Sequence, residues 1–238
     1  MACTAPAAPA GIDDLTLKIP PVSSSFSVDS LRIGVTAWGS VSGSSAGAFQ
    51  ISMTADLADL QDHLTPLLAA QLNRAERCGE RLTVERAALA PATPAGVLTA
   101  WVHYERFGCV KAFGKEVVKR LVGGNAMVVV NLTPSVSADG VSLTAQVQKL
   151  EADGSLGELL RSGSLGESLR QKIEASIQNA IQKSANLKST VPPEIAGAAR
   201  LQTVRFDDGG AGRLWLSLAG EVRLSPEQFR ALAKGVVR

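Results

Sequence analysis

Aromatic side chains are scarce in this chain: one Tyr, three Trp and six Phe among 238 residues. Yet 45% of the residues are hydrophobic, so the core has to be built from Leu, Val, Ile and Ala. Histidine is almost missing, with only His63 and His103. That leaves little for a metal centre or a histidine-based triad. There is no C-x-x-C, no Gly-rich phosphate loop and no dinucleotide fingerprint. No apolar run reaches the roughly 18 residues needed to cross a bilayer, and nothing near Met1 is an apolar signal region. Charge of one sign is absent as well. The 24 basic and 22 acidic residues are spread along the chain, net +2. Nucleic acid requires a basic stripe, and none is present.

Two pieces resemble catalytic or binding chemistry in isolation. Gly43-Ser44-Ser45-Ala46-Gly47 fits the G-x-S-x-G nucleophile elbow. That elbow needs a strand before it and a helix after it, whereas this one sits in a Gly/Ser loop followed by a strand pattern. Ser45 is therefore expected to be a turn residue. His103 alternates with Trp101 and Glu105 on one strand face and reads as a partly exposed strand residue, not a ligand. The acidic pairs Asp13-Asp14 and Asp207-Asp208 read as turn residues. These points predict no enzyme, no metal and no cofactor.

What is present is pattern. Residues 1–11 are an Ala/Pro-rich tail. An extended lead-in from Ile12 to Val22 contains Pro20-Pro21, which blocks a helix. Residues 1–19 are expected as a tether and 20–238 as one domain. Leu31, Ile33 and Val35, then Phe49, Ile51 and Met53, alternate with polar or small residues and predict two strands joined through Gly39–Gly47. Leu57, Leu60, Leu64, Leu67, Leu68 and Leu72 form a helical stripe. Pro66 within it predicts a kink or a fresh start capped by Thr65.

Strands are then predicted around Leu82 and Val84, around Leu98–Tyr104, over residues 126–132 (expected buried on both faces), and over Val141–Val147, wet on one side. Lys111–Gly124 reads as strand or short helix. Ser155 and Glu158, like Ser164 and Glu167, match a capping box. The second box opens an expected long helix with Leu165, Leu169, Ile173, Ile177 and Ile181 on one stripe. Two strands, Leu201–Phe206 and Leu214–Leu218, flank the turn Asp207–Gly212. Ser225-Pro226 starts an expected short C-terminal helix. Strands do not alternate regularly with helices, so the class is α+β with antiparallel sheet.

Cysteine use points to a compartment. If residues 80–106 form a two-stranded excursion, Cys78 and Cys109 meet and can bridge, stabilising by about 3 kcal/mol. The bridge implies an oxidising compartment; the alternative is two buried free thiols in a cytosolic protein. Cys3 stands after Ala2 and before the Ala/Pro tail, as in a bacterial lipoprotein whose first mature residue is a lipidated cysteine. The expectation is a periplasmic protein anchored to the outer membrane through Cys3. The alternative is a chance cysteine in a tail. Lys111, Lys115, Lys119 and Arg120 form the densest basic cluster, which a solvated face or contact with an anionic membrane surface would equally explain.

In order and pattern, residues 20–224 resemble the tubular lipid-binding superfamily, which includes bactericidal/permeability-increasing protein, synaptotagmin-like lipid-transfer domains and takeout proteins. The resemblance rests on the stripes Leu57–Leu72 and Leu165–Ile181 and the strands between them, not on a short motif. It implies a highly curved antiparallel sheet wrapped around a long amphipathic helix, with a second long helix and the short C-terminal one. It also implies non-enzymatic binding or transport of a lipid or other apolar molecule. The inward residues would then be Leu60, Leu64, Leu68, Val102, Leu143, Val147, Leu169, Ile173, Ile177 and Leu216. A solid core would use the same residues, and the fold would then be a structural or interaction module of an envelope complex.

Overall fold

The computed structural model describes residues 16–28, 31–43, 48–112, 115–137, 140–161, 163, 166–168, 171, 175 and 199–223. These residues form two five-stranded antiparallel sheets and short helices. The first sheet contains β1 (Thr16–Val28), β2 (Leu31–Gly43), β3 (Ala48–Asp56), β9 (Ala199–Asp208) and β10 (Leu214–Arg223). Its order is β1-β2-β3-β10-β9, so it joins the two ends of the described chain. The second sheet is contiguous in sequence: β4 (Arg74–Ala75), β5 (Glu80–Ala92), β6 (Ala95–Ala112), β7 (Lys115–Ser137) and β8 (Gly140–Ala152), in that order. Between the sheets in sequence lie α1 (Ala58–Asp62) and α2 (Leu64–Leu72); α3 (Gly154–Arg161) follows β8.

This corrects the expected fold. Among the described residues, strand accounts for 73%, in two sheets, and no curved sheet wraps a long helix. The Leu57–Leu72 stripe is two short helices that break at His63. Pro66 supplies the reason. Its ring would collide with the carbonyl four residues earlier, that of Asp62, so α1 ends there. His63 joins the pair: its N–H donates to Asp59 O (3.1 Å) and its carbonyl accepts from Leu67 N (3.1 Å). Pro66 then sits in the first turn of α2, where a missing N–H costs nothing. Of the second expected helix, residues 166–168, 171 and 175 are described and are helical; Leu169, Ile173 and Ile177, the C-terminal helix, Cys3 and Ser45 lie outside the described residues.

Strand positions follow the sequence pattern, but the strands are longer than expected. Lys111–Gly124 is strand apart from residues 113–114, which are not described. Residues 126–132 are not buried on both faces: Ala126, Val128, Val130 and Leu132 are buried, and the residues between them are half-buried. Pro20 and Pro21 sit inside β1, where Ile19 pairs with Gly39 and Val22 with Ala37. Two prolines thus oppose the single residue Trp38, a bulge on an edge strand that needs no N–H donors there. Ser155 is inside α3, not at its cap; its hydroxyl accepts from Gly123 N and donates to Gly123 O. The turn at 210–212 runs through positive φ at Gly210 (94°), Ala211 (55°) and Gly212 (76°), conformations that glycine adopts without strain.

Both sheets share one core. Leu64 of α2, Ala87 and Leu89 of β5, Leu98 of β6, Val128, Val130 and Leu132 of β7, Val147 of β8, Phe206 of β9 and Leu214 of β10 form a single buried cluster. Gln61 links the sheets through its side-chain amide. Its Nε2 donates to Leu89 O (2.7 Å) and Gly212 O (2.9 Å), and its Oε1 accepts from Leu214 N (2.9 Å). Two backbone bonds add to this, Leu57 N to Leu214 O and Phe206 N to Pro94 O, both 2.9 Å. Asp207, beside this turn, is pushed up by partial burial. The Ser217 hydroxyl and the Arg205 guanidinium outweigh that and hold it below its ordinary value of 3.8.

Three outcomes follow for stability. Leu214 is fully buried, so Leu214→Ala should cost about 3 kcal/mol in urea unfolding. Gln61→Ala strands one N–H and two carbonyls and should cost about 1–3 kcal/mol in the same measurement. The folded carboxyl of Asp207 has the lower pKa, so its contribution is fully present above its unfolded value. It is lost as pH falls through the folded one. Acid titration of Asp207→Asn should therefore show a smaller loss of stability below pH about 4 than the parent protein.

Candidate functional site

Two regions bring the expected site residues into view. The first is the aliphatic core face. Of the ten residues expected to line an apolar cavity, Leu64 and Val147 belong to the buried cluster, and Leu68, Leu143 and Leu216 pack against it partly buried. Leu60 and Val102 are half-buried. Leu169, Ile173 and Ile177 lie outside the described residues. Among the described residues no polar or charged side chain is buried. The β5–β8 wall is aliphatic throughout: Ala87, Leu89, Leu98, Val128, Val130 and Val147. These side chains are buried against Leu64, Phe206 and Leu214. Two concavities open to solvent elsewhere. One, about 560 Å³, lies by Glu151 of β8 and Arg161 of α3. The other, about 340 Å³, lies by Asp56, Asp59 and Arg213.

The second region is the far end of the β6–β7 hairpin. β5 reaches only to Glu80, opposite Arg106, and β8 ends at Ala152, opposite Ala126. Beyond Arg106, the residues from Phe107 to Ala112 pair solely with β7, from Arg120 back to Lys115. A two-stranded ribbon standing alone is only marginally stable in water. Here it is stapled: Cys78 and Cys109 form a disulfide with a Cα–Cα distance of 5.6 Å. The expected excursion is the β5–β6 hairpin, whose pairing of Glu80 with Arg106 returns the chain beside Cys78. Around the bridge, Phe107 N donates to Gly79 O (2.8 Å), the Arg81 guanidinium lies 4.2 Å over the Phe107 ring, and Arg77 pairs with Glu116 at 3.6 Å.

The Cys78 and Cys109 sulfurs and a Glu116 carboxylate oxygen lie within 4.8 Å of one another, as metal ligands would. The two sulfurs are bonded to each other, so neither is free to ligate. His103 Nδ1 is 2.7 Å from Asn125 Oδ1, and its Nε2 is 3.8 Å from Glu105. His63 Nδ1 is 2.8 Å from the Asp59 carbonyl. Tyr104, near the base of the ribbon, is pushed above its ordinary value by burial and by Glu80.

Sequence reasoning found the basic cluster of the ribbon but missed its apolar companions. Val110, Val117 and Leu121 are 65%, 52% and 57% exposed. The alternation Val117, Lys119, Leu121 was the available signal. It was lost because Lys111–Gly124 also fits a helix.

No family model matches the chain, and no curated protein matches it. Among solved structures, it is similar to the crystal structure of a lipopolysaccharide binding protein, at 10% identity and a TM-score of 0.38. The match covers 74% of this chain and 33% of that one, so the chain spans about a third of that neighbour's length.

Replacing both bridging cysteines, Cys78→Ser with Cys109→Ser, should lower unfolding stability by about 3 kcal/mol. Amide exchange should rise first in residues 107–112 and 116–120, the ribbon pairs that no neighbouring strand supports.

Proposed function

We propose that this protein binds a lipid or a similar apolar molecule without transforming it, in the periplasm or envelope of a bacterium. The observation that carries the reading is the aliphatic wall of β5–β8, with no polar or charged residue buried among the described residues. The partly buried Leu68, Leu150 and Leu216 continue it at its margin. Transfer of acyl surface onto such a wall is favourable by about 0.8 kcal/mol per CH₂, and nothing on it selects a headgroup. The Cys78–Cys109 bridge supports an oxidising compartment, and anchoring through a lipidated Cys3 belongs to the same reading.

A second reading has its own support. The two described concavities carry charged side chains, Glu151 and Arg161 in one and Asp56, Asp59 and Arg213 in the other, and of this wall only the marginal Leu150 reaches either. A closed core serving as a structural or interaction module of an envelope complex would look like that.

Native mass spectrometry of the protein purified from a periplasm, with organic extraction of any added mass, separates the two. Lipid binding predicts a discrete adduct that extracts as lipid, and uptake of a fluorescent fatty acid. Leu68→Trp, at a position already partly exposed, should reduce that uptake severalfold with little change in unfolding. A clean apo mass with no uptake sinks the lipid reading and turns the search to protein partners.

A further inference from the structure

The β6–β7 ribbon carries a surface of its own. Register puts Val110 beside Val117 and Gly108 beside Lys119. Alternation places these four on the face opposite Cys109. Leu121 lies over Gly108, where an added Cβ would sit 3.0 Å from its Cδ1. Three of the five large hydrophobics exposed among the described residues therefore share this one face.

Lys119 shares that face, and Lys111, paired in register with Glu116, is on the Cys109 face. Both lysines are exposed and have no ion-pair partner among the described residues. The ribbon's carboxylates are occupied: Glu116 by Arg77 and Glu105 by Arg120 at 3.0 Å. Both partners lie away from the apolar face. The free charge of the ribbon is therefore positive.

We propose that this ribbon docks the protein on an anionic lipid bilayer. Val110, Val117 and Leu121 enter the boundary between headgroups and acyl chains with Lys119 against lipid phosphates, and Lys111 adds positive charge from the opposite face. Size and composition favour this occupant. Six residue pairs span about 20 Å, and two strands give a face roughly 10 Å wide. That is a fraction of the about 800 Å² per partner that a stable protein interface buries. Within the six ribbon pairs this face carries none of the Trp, Tyr and Arg anchors of such interfaces. A bilayer needs neither: a few apolar side chains and unpaired cations on a rigid support suffice for reversible adsorption. Docking uses a different surface from the β5–β8 wall and stands apart from it.

Sedimentation of the whole protein with vesicles tests it. Phosphatidylcholine vesicles containing phosphatidylglycerol should bind the protein about tenfold or more tightly than phosphatidylcholine alone, less so as salt rises. Val110→Ser with Val117→Ser and Leu121→Ser should abolish most of the binding. Lys111→Gln with Lys119→Gln should weaken it on the order of tenfold or more. All five positions are exposed, and an intact mass showing the Cys78–Cys109 bridge confirms that each variant keeps the ribbon stapled. Absence of binding to the anionic vesicles overturns the proposal, as does equal binding by the serine variant or equal binding to both vesicle types. Fatty-acid uptake by the same variants should stay unchanged, so a failed apolar seat registers in that assay and a failed dock in the sedimentation.

Discussion

The outer edge of β5 is the constraint on which the rest depends. β4 covers only a short part of it, pairing Arg74 with Leu82 and Ala75 with Arg81. Past that point the edge has unpaired backbone groups, a liability for any sheet protein. Side chains complete it instead. Asn73 Oδ1 accepts from Val84 N (2.7 Å), the Thr65 hydroxyl bonds both Ala87 N and Ala87 O, and Gln61 takes Leu89 O. All three come from the α1–α2 segment. With the edge closed, Leu64 is held over Ala87 and Leu89, and the core of both sheets forms around that contact.

The two proposed surfaces are built on opposite physical terms. The core face is wide, aliphatic and shared by seven elements, and its binding capacity would lie in area alone. The ribbon is narrow and exposed, held in place by one covalent bridge and the contacts around it. Its composition combines branched aliphatics with unpaired lysines. One surface suits the interior of a lipid, the other the surface of a membrane. A protein that handles apolar cargo has use for both, since cargo of that kind is delivered from and returned to bilayers.

Strand periodicity was legible where one face is buried. Val141–Val147 reads polar and apolar in turn, and the structure exposes Ser142, Thr144 and Gln146 as that pattern requires. The disulfide was legible too, because a hairpin between two cysteines returns the chain to its start. Architecture was not. Periodicity reports which face of an element is buried, not what covers it, so the Leu57–Leu72 stripe left a kink and a fresh start at Pro66 both open. The pairing of β3 with β10 has no local signal at all. The core residues Leu64 and Val147 were identifiable as inward-facing, but inwardness does not distinguish a wall for ligand from packing. The apolar side of the ribbon escaped because exposed Val and Leu on a short alternating stretch look like ordinary core positions.

The order of strands in the first sheet has a consequence for biogenesis. β3 pairs with β10 across more than half the chain, from Ala48↔Arg223 to Asp56↔Trp215. The second sheet contains only sequence neighbours and can form as soon as Ala152 has emerged. The first sheet must wait, with the inner edge of β3 and its alternating Phe49, Ile51 and Met53 unpaired until the last described strand arrives. Contacts so distant in sequence slow folding and prolong the life of an open edge. For a chain that crosses a membrane before folding, that interval is when a chaperone holding β1–β3 would matter most.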